Sequence, residues 1–218
     1  MPPKHKSPWG RYCELMSERP EAFAQNTMLP IITNPDAVAD FVARTGREIG
    51  VVYESPYRLM VVDLVQGPNG PFAYERLLPA SKGMGVVIMP FWQGKCVLLQ
   101  QYRHALRDFQ LAFPRGFGEN GLSPEENATK EIAEELQAEV FGLAPLGHIT
   151  PDSGLTNSSA AVFLAQISKP KLMANYEEII EIVALSLREL DNAICKGRIQ
   201  DGFTLAARGL YSVKSNLV

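Results

Sequence analysis

The sequence predicts an α+β fold in which helices cover a mixed sheet, with a small antiparallel β unit placed before it. Two observations support this expectation. Alternating, β-branched patterns dominate residues 47–80, whereas from residue 83 onward short apolar runs are interrupted by clear helical patterns. The chain has 218 residues, of which 46% are hydrophobic and 21% charged, as is typical of a globular protein with one large domain or one domain and an appendage.

The N-terminal third of the chain changes character twice. Residues 1–35 are rich in proline and charge, and we expect an extended arm with at most short helical pieces. Residues 35–46 are typical of a short amphipathic helix, because Pro35 suits a first turn and Gly46 suits a helix end. Residues 47–80 then predict an antiparallel β unit with a turn at QGPNG.

The remainder of the chain begins with a predicted hairpin at 85–103, whose turn is the WQGK segment. Further short apolar runs predict strands, and the last part of the chain is helical. We expect strands at 109–113, about 144–150, 160–167 and 178–186, and helices at 123–138, 187–197 and 201–213.

The clearest helix of the sequence is the one at 123–138. Ser123 is a suitable N-cap, a proline follows it, and Glu126 completes a capping box. An apolar stripe recurs every four residues and predicts the face that packs into the core. The stripe consists of Ala128, Ile132 and Leu136.

A second face of this helix carries Glu131, Glu134 and Glu135, which lie within roughly 100° of one another at the helical repeat. Like charges at these spacings repel by roughly 0.2–0.5 kcal/mol per pair, and little in the nearby sequence neutralises them. The pattern fits either a solvated acidic face or a site for Mg²⁺ or Mn²⁺. The glycine-rich loop PRGFGENG before the helix favours the metal, because it can bring backbone close to the carboxylates.

Gly116, followed at the right distance by KEIAEE at 130–135, resembles the Nudix box. In that pattern a glycine and a glutamate precede a helix that reads Arg-Glu-apolar-x-Glu-Glu, and a second glycine follows. Three positions depart from it: the first glutamate is Leu122, the arginine is Lys130 and the late glycine is Gln137.

The resemblance extends over about residues 47–210 and points to the ADP-ribose and nucleoside-diphosphate-sugar pyrophosphatase branch of the Nudix superfamily. LLQQYRHALRDFQLAFPRG, LGHITPDSG and EIIEIVALSLREL carry it outside the box. It implies the Nudix fold, an α/β/α sandwich. It also implies a β dimerisation unit at 47–80 and a Nudix hydrolase domain at 81–218. Residues 1–46 lie outside the resemblance, and we expect them to form an N-terminal arm with a short helix.

The resemblance assigns the metal to the helix. Glu131 and Glu135 match the glutamates that bind the ion, which is expected to be Mg²⁺, with Mn²⁺ as the alternative. Glu134 either joins these metal ligands or anchors Lys130, and it is also a candidate catalytic residue.

Two carboxylates of the branch are absent. Leu122 replaces the first glutamate of the box, and Ala112 replaces a glutamate upstream of it. We expect Leu122 to pack in the core, with Glu119 or Glu125 as a replacement acid. The lysine at the arginine position is consistent with the loss, because a bidentate partner is no longer required.

Hydrolysis of a diphosphate requires charge neutralisation, a positioned water and a base. The resemblance places the base in a loop well after the box, where Glu177 and Glu178 precede a strand, and Asp152 is a further candidate. A separate group is expected to bind the substrate, because guanidinium groups grip phosphates. This group consists of Arg103, Arg115 and Gly116. Arg107 is either a further phosphate-binding residue or a surface arginine, and His104 and His148 are expected to be structural residues.

The predicted function is metal-dependent cleavage of the diphosphate in ADP-ribose or a nucleotide sugar, giving a nucleoside monophosphate and a phosphorylated remainder. The alternative is a non-catalytic Nudix-fold sensor of a nucleotide ligand, which Leu122 and Ala112 favour. The resemblance also implies a homodimer whose substrate site uses both chains, and exposed strand edges at 51–80 favour such pairing.

Composition argues against other partners and classes. A net charge of −3 and a pI of about 5.7 argue against general nucleic-acid or membrane-surface binding. Runs such as GVVIMP are too short to span a bilayer, and no apolar signal follows the N-terminus. Three widely spaced cysteines fit reduced thiols in a cytoplasmic protein, and the absence of GxSxG argues against a serine hydrolase.

Overall fold

The computed structural model describes residues 7–173 and 176–215. The chain divides into two compact units. The first contains the described part of Met1–Ala80 together with Asp152–Asn157, and the second contains Ser81–Pro151 and the described part of Ser158–Val218. Across the described residues, no helix combines the length and apolar character that crossing a bilayer requires.

The first unit consists of two helices and a 3₁₀ turn around a three-stranded antiparallel sheet in the order β1-β2-β3. Its elements are α1 (Pro8–Glu18), the 3₁₀ turn (Pro20–Phe23), α2 (Pro35–Thr45), β1 (Gly50–Glu54), β2 (Arg58–Gly67) and β3 (Gly70–Pro79). The helix predicted at 35–46 and the antiparallel strands predicted within 47–80 are therefore present. Gly46 ends α2 with a φ of 69°, as its position suggested.

The N-terminal segment differs from the extended arm that was expected, because α1 is a full helix packed in the core of this unit. Tyr12 and Leu15 are completely buried, and the Tyr12 hydroxyl donates to Asp63 Oδ1 at 2.5 Å. Arg76 donates to the other oxygen of the same carboxylate. The polar partners of Tyr12 lie more than 40 residues away, so local composition gave no sign of them.

The second unit contains a seven-stranded mixed sheet and three helices. The main path of the sheet is β10-β5-β4-β9-β8, with β6 on β5 and β7 on β4. Only the β4–β9 pair is parallel among the described pairings. The elements are β4 (Gly85–Trp92), β5 (Lys95–Arg103), β6 (Asp108–Ala112), β7 (Arg115–Gly116), α3 (Pro124–Leu136), β8 (Val140–Ile149), β9 (Ala160–Ile167), β10 (Ile179–Leu185), α4 (Leu187–Cys195) and α5 (Gly202–Ser215).

The sheet is covered on both faces, as the alternation along β4 shows. Val86 and Ile88 belong to the cluster that contains the apolar stripe of α3. Val87 and Met89 point the other way, into the cluster that contains residues of α4 and α5. The α/β/α sandwich with a mixed sheet is therefore confirmed, and α3 is the helix that lies alone on its face.

Candidate functional site

Helix α3 is fixed at its start and along one side. Ser123 Oγ accepts from the Glu126 amide at 3.2 Å, and Glu126 Oε2 accepts from the Ser123 amide at 2.8 Å. The predicted stripe of Ala128, Ile132 and Leu136 is completely buried in the core. Because the stripe fixes the rotation of the helix, it also sets the direction of the acidic face.

Glu131 and Glu135 lie on that face, Glu131 partly buried and Glu135 fully buried. Glu135 is 2% exposed, and its Oε2 has no hydrogen-bond partner among the described residues. Burial, with the charge of Glu131, raises the pKa of Glu135 to about 8, against the backbone hydrogen bond from Arg115. Burial and the charge of Glu134 raise the pKa of Glu131 to about 7. Two carboxylates whose burial and mutual repulsion outweigh the nearby positive charges of Lys130 and Arg103 are suited to a cation.

Glu134 lies at the edge of this site and is partly exposed. Its carboxylate is 3.3 Å from the Lys130 ammonium, which also contacts Glu119 Oε1 from the loop before α3. Glu134 was expected either to bind the metal or to anchor Lys130, and the structure shows the contact with Lys130. Glu119 makes the contact expected of a replacement acid, whereas Leu122 is only partly buried and lies outside the buried clusters of the described residues.

Gly116 lies against helix α3. A Cβ atom at this position would be 1.7 Å from Glu131 Oε1, a distance that no side chain can tolerate. Its lack of a side chain therefore lets β7 approach the carboxylate directly. This close contact explains why a glycine is needed fifteen residues before Glu131.

Glu177 reaches the same carboxylates from the loop before β10. Its charge contributes to the raised pKa values of Glu131 and Glu135. Glu177 and Glu178 have φ values of 45° and 55°, in the left-handed region that non-glycine residues rarely adopt. The backbone is therefore strained at the point where it presents an acid to the site. Glu178 is also exposed, and its carbonyl accepts from the Tyr102 amide at 3.2 Å.

Tyr176 is a member of the site that the sequence analysis missed. Its ring packs against the α3-side core cluster. Burial, followed by the charge of Glu134 and of three other glutamates, raises its pKa to about 12. The hydroxyl is therefore kept protonated by burial and by the negative charge of these glutamates. Its position directly before Glu177 was the available signal.

The two predicted phosphate-binding arginines lie in different surroundings. Arg103, at the end of β5, has no ion-pair partner among the described residues, and its charge lowers the pKa of Glu135. Arg115 is 3.1 Å from Asp201 and lies over the ring of Phe203 at 4.5 Å. Burial lowers its pKa, against the effect of Asp201. Arg103 is thus the guanidinium available to a ligand.

The remaining candidates make local contacts or are exposed. Asp152 belongs to the segment grouped with the first unit, where its side chain accepts from the Gly154 amide at 3.0 Å. His104 and His148 are exposed, and the ring nitrogens of His104 contact Arg107 at 3.1 and 3.2 Å. These contacts agree with the structural roles expected for the histidines and with the surface role for Arg107.

The donor set suits a hard divalent cation. Among residues 7–173 and 176–215, no three His, Cys, Asp or Glu side chains form a ready-made metal cluster. Mg²⁺, however, is usually held by one or two carboxylates, with waters and substrate phosphates completing its shell. Glu131 and Glu135 meet that requirement. Glu135 Oε2 has no hydrogen-bond partner among the described residues and could therefore bind the ion.

Residues 81–205, more than half of the chain, match the family model of the NUDIX domain. The chain belongs to the NUDIX family. The matched region contains Gly116, α3, Glu177 and Arg103, so the whole acidic face lies inside the family domain.

Curated relatives place this NUDIX protein within the family. It is 24% identical over 161 residues to the ADP-ribose pyrophosphatase of Bacillus subtilis (strain 168), which covers 72% of this chain and 86% of that protein. It is 28% identical over 149 residues to the methanol dehydrogenase activator of Bacillus methanolicus, covering 67% and 80%. It is 32% identical over 106 residues to the ADP-sugar pyrophosphatase of Mus musculus, covering 44% and 48%. The predicted resemblance to the pyrophosphatase branch is confirmed.

A solved structure of an ADP compounds hydrolase has the same fold. It aligns with a TM-score of 0.67 at 20% identity and covers 76% of this chain and 90% of that chain. The family, the relatives and this fold together support the enzyme class predicted from the sequence, a Nudix pyrophosphatase.

Proposed function

We propose that the protein is a metal-dependent hydrolase that cleaves the diphosphate linkage of ADP-ribose or of a nucleotide sugar. The observation that carries this proposal is the Glu131–Glu135 pair on one helix face, in which Glu131 is partly buried and Glu135 is buried with a carboxylate oxygen that lacks a partner among the described residues. A divalent cation supplies the positive charge that this pair and a diphosphate both require. The products are a nucleoside monophosphate and the phosphorylated remainder.

The residues around the pair supply the other functions. Glu131 and Glu135 hold Mg²⁺ or Mn²⁺, and Arg103 binds a phosphate oxygen of the substrate. Glu177 takes the proton of the attacking water, because it approaches the pair from the opposite loop and is exposed to solvent. Glu134 holds Lys130 at the edge of the site.

Substrate choice rests on the relatives. Two of them are named for ADP-ribose and ADP-sugars, and the structural neighbour is named for ADP compounds. ADP-ribose is therefore the first substrate to examine, and nucleotide sugars with other bases are the second. All of these share the diphosphate that the site is proposed to bind.

The test measures release of nucleoside monophosphate with Mg²⁺ from ADP-ribose and a panel of nucleotide sugars. Glu135→Gln removes one charge from the proposed ligand pair without changing its size, and we expect turnover to fall by a factor on the order of 100 or more. Glu139→Gln is the matched control, because it removes one charge from an exposed position just beyond α3 and is expected to retain turnover.

The alternative, a ligand sensor, predicts a different result in the same experiment. Leu122 and Ala112 stand where the branch has glutamates, which is the observation that favours it. Tight binding of one panel member, with no metal-dependent turnover in the wild type, would support the sensor and contradict hydrolysis.

We also propose a homodimer formed through the first unit. Strand β1 is an edge of its three-stranded sheet, so its outer backbone groups are free of a neighbouring strand within that sheet. Tyr53 in β1 is 60% exposed, and Tyr57 in the turn that follows β1 is 71% exposed. An exposed strand edge with large aromatic side chains favours pairing with a second copy.

A further inference from the structure

The loop at residues 117–122, which we call the box loop, joins β7 to α3. We infer that Glu119 in this loop is a positioning residue for the acidic site: by holding Lys130, it performs the task of the carboxylate that is absent at position 122. The inference deepens the proposed function and rests on it for the assignment of Glu131 to a metal.

Glu119 is the loop acid that contacts Lys130. The ammonium of Lys130 touches Glu119 Oε1 on one side and is 3.3 Å from Glu134 Oε1 on the other. Glu125 makes no ion pair within the described residues, and the carboxylate of Glu126 is engaged by Ser123. Of the acids around the helix start, Glu119 alone joins the box loop to the lysine of the box.

The box loop is anchored on both sides of Glu119. Before it, the Phe117 carbonyl accepts from Asn127 Nδ2 at 2.9 Å. After it, Asn120 Oδ1 accepts from the Lys82 amide at 3.0 Å and from Ser81 Oγ at 3.2 Å. The loop is therefore held to α3 and to the segment before β4, and the Glu119–Lys130 pair is its charged attachment to the helix.

Close backbone packing makes the loop position critical. A Cβ on Gly118 would lie 2.0 Å from the carbonyl carbon of Gly83, so these two backbones are in direct contact. The residue directly before the loop is Gly116, whose Cα faces the carboxylate of Glu131 without room for a methyl group. A small displacement of the loop therefore changes the space available to Glu131.

Lys130, on α3, also connects the box loop to Glu131. It directly precedes Glu131, and its charge favours the ionised form of that carboxylate. Glu119 and Glu134 hold the ammonium between them. The geometry links Glu119 to Glu131 by two routes. One passes through Lys130, and the other passes through the box loop to Gly116, which contacts Glu131.

A surface ion pair without a positioning role would have the same contacts, but its loss would change neither the opening of the box loop nor the affinity for a metal. Exposed pairs of this kind contribute about 0–1 kcal/mol to stability, so global unfolding does not separate the two cases. Local opening of the box loop and affinity of the site for a metal do separate them.

The first measurement is hydrogen–deuterium exchange of the metal-free protein, with Glu119→Gln, Lys130→Met, the double variant and Glu125→Gln as a matched loss of one charge. We expect amides of the box loop to exchange roughly fivefold faster in Glu119→Gln and to be unchanged in Glu125→Gln. In the Lys130→Met background, Glu119→Gln is expected to add no further change, because its effect passes through Lys130.

The second measurement is Mn²⁺ binding, followed by loss of the free-ion signal in electron paramagnetic resonance. Glu119→Gln is expected to weaken binding roughly fivefold, with Glu119→Asp intermediate and Glu125→Gln at the wild-type value. Unchanged exchange and unchanged Mn²⁺ affinity in Glu119→Gln would overturn the inference, as would equal effects in the presence and absence of Lys130.

These two measurements keep the inference distinct from the proposed function. If the wild type binds no Mn²⁺, the metal-dependent function is overturned together with the metal part of the inference. The exchange data still decide whether Glu119 holds the box loop through Lys130.

Discussion

Gln137 has an unusual backbone conformation at the end of α3. It adopts a φ of 47° and a ψ of 39°, the left-handed conformation in which a glycine is usual. The Nudix pattern has glycine at this position, so the chain retains the conformation but lacks the residue that adopts it without strain. The helix end therefore stores strain just beyond the acidic face.

We predict that Gln137→Gly raises the free energy of unfolding by about 1 kcal/mol, because glycine adopts the left-handed region without steric cost. Urea denaturation measures the change. Ala133→Gly is the matched control: it places glycine at an exposed interior position of the same helix and is expected to lower stability by about 1 kcal/mol. Equal losses for both variants would contradict the strain assigned to Gln137.

Residues on a regular helix could be predicted from the sequence, whereas residues whose contacts are tertiary could not. Spacing placed Glu131, Glu134 and Glu135 on one helix face, and the family resemblance singled out Glu131 and Glu135 among them as the expected metal ligands. The sequence left Glu119 and Glu125 as equal alternatives, since the path of a glycine-rich loop depends on its tertiary contacts. The pairing of Arg115 with Asp201 spans 86 residues, and local pattern carries no information about it.

The start of helix α5 contacts β7, the strand that faces Glu131 and Glu135. Asp201 Oδ2 accepts from the Thr204 amide at 2.9 Å and from its hydroxyl at 2.8 Å, so it caps the helix. The Thr204 hydroxyl accepts from the Phe113 amide at 2.9 Å. The other oxygen of Asp201 holds Arg115, whose backbone is bonded to Glu135. The helix thus supports the strand that faces the acidic pair.

We predict that Asp201→Asn and Asp201→Ala separate the two contacts of this residue. Asparagine retains the cap and loses the ion pair, so we expect a loss of about 1 kcal/mol in the free energy of unfolding. Alanine loses both contacts, and we expect about 2–3 kcal/mol. Guanidinium unfolding measures both values, and an unchanged midpoint for Asp201→Asn would remove the ion pair from this account.

Elements were predicted where the pattern is local. The strands and helices of the second unit follow their periodicity, with ends displaced by a few residues. Helix α1 was not predicted as a packed helix, because the segment is short and rich in proline and charge. Its buried Tyr12 depends on Asp63 in β2, a partner that only the folded unit provides.

At the scale of the whole molecule, the proposed homodimer can be tested by changing the exposed tyrosines near β1. We predict that Tyr53→Lys combined with Tyr57→Lys converts a dimer to a monomer, because two added charges on each chain repel across a paired edge. Light scattering after size-exclusion chromatography measures the mass. Phe141→Lys is the control, since Phe141 is 71% exposed on edge strand β8 of the other unit. A dimer that survives the double variant but not the control would place the interface elsewhere.

The grouping of Asp152–Asn157 with the first unit has a consequence for synthesis on the ribosome. The Leu77 amide of β3 donates to the Leu155 carbonyl at 2.8 Å, and the Tyr74 hydroxyl donates to the Gly154 carbonyl at 2.8 Å. The edge of the first unit therefore stays incomplete until more than seventy further residues have been translated. Vectorial folding of the N-terminal unit cannot finish before much of the NUDIX domain has left the exit tunnel.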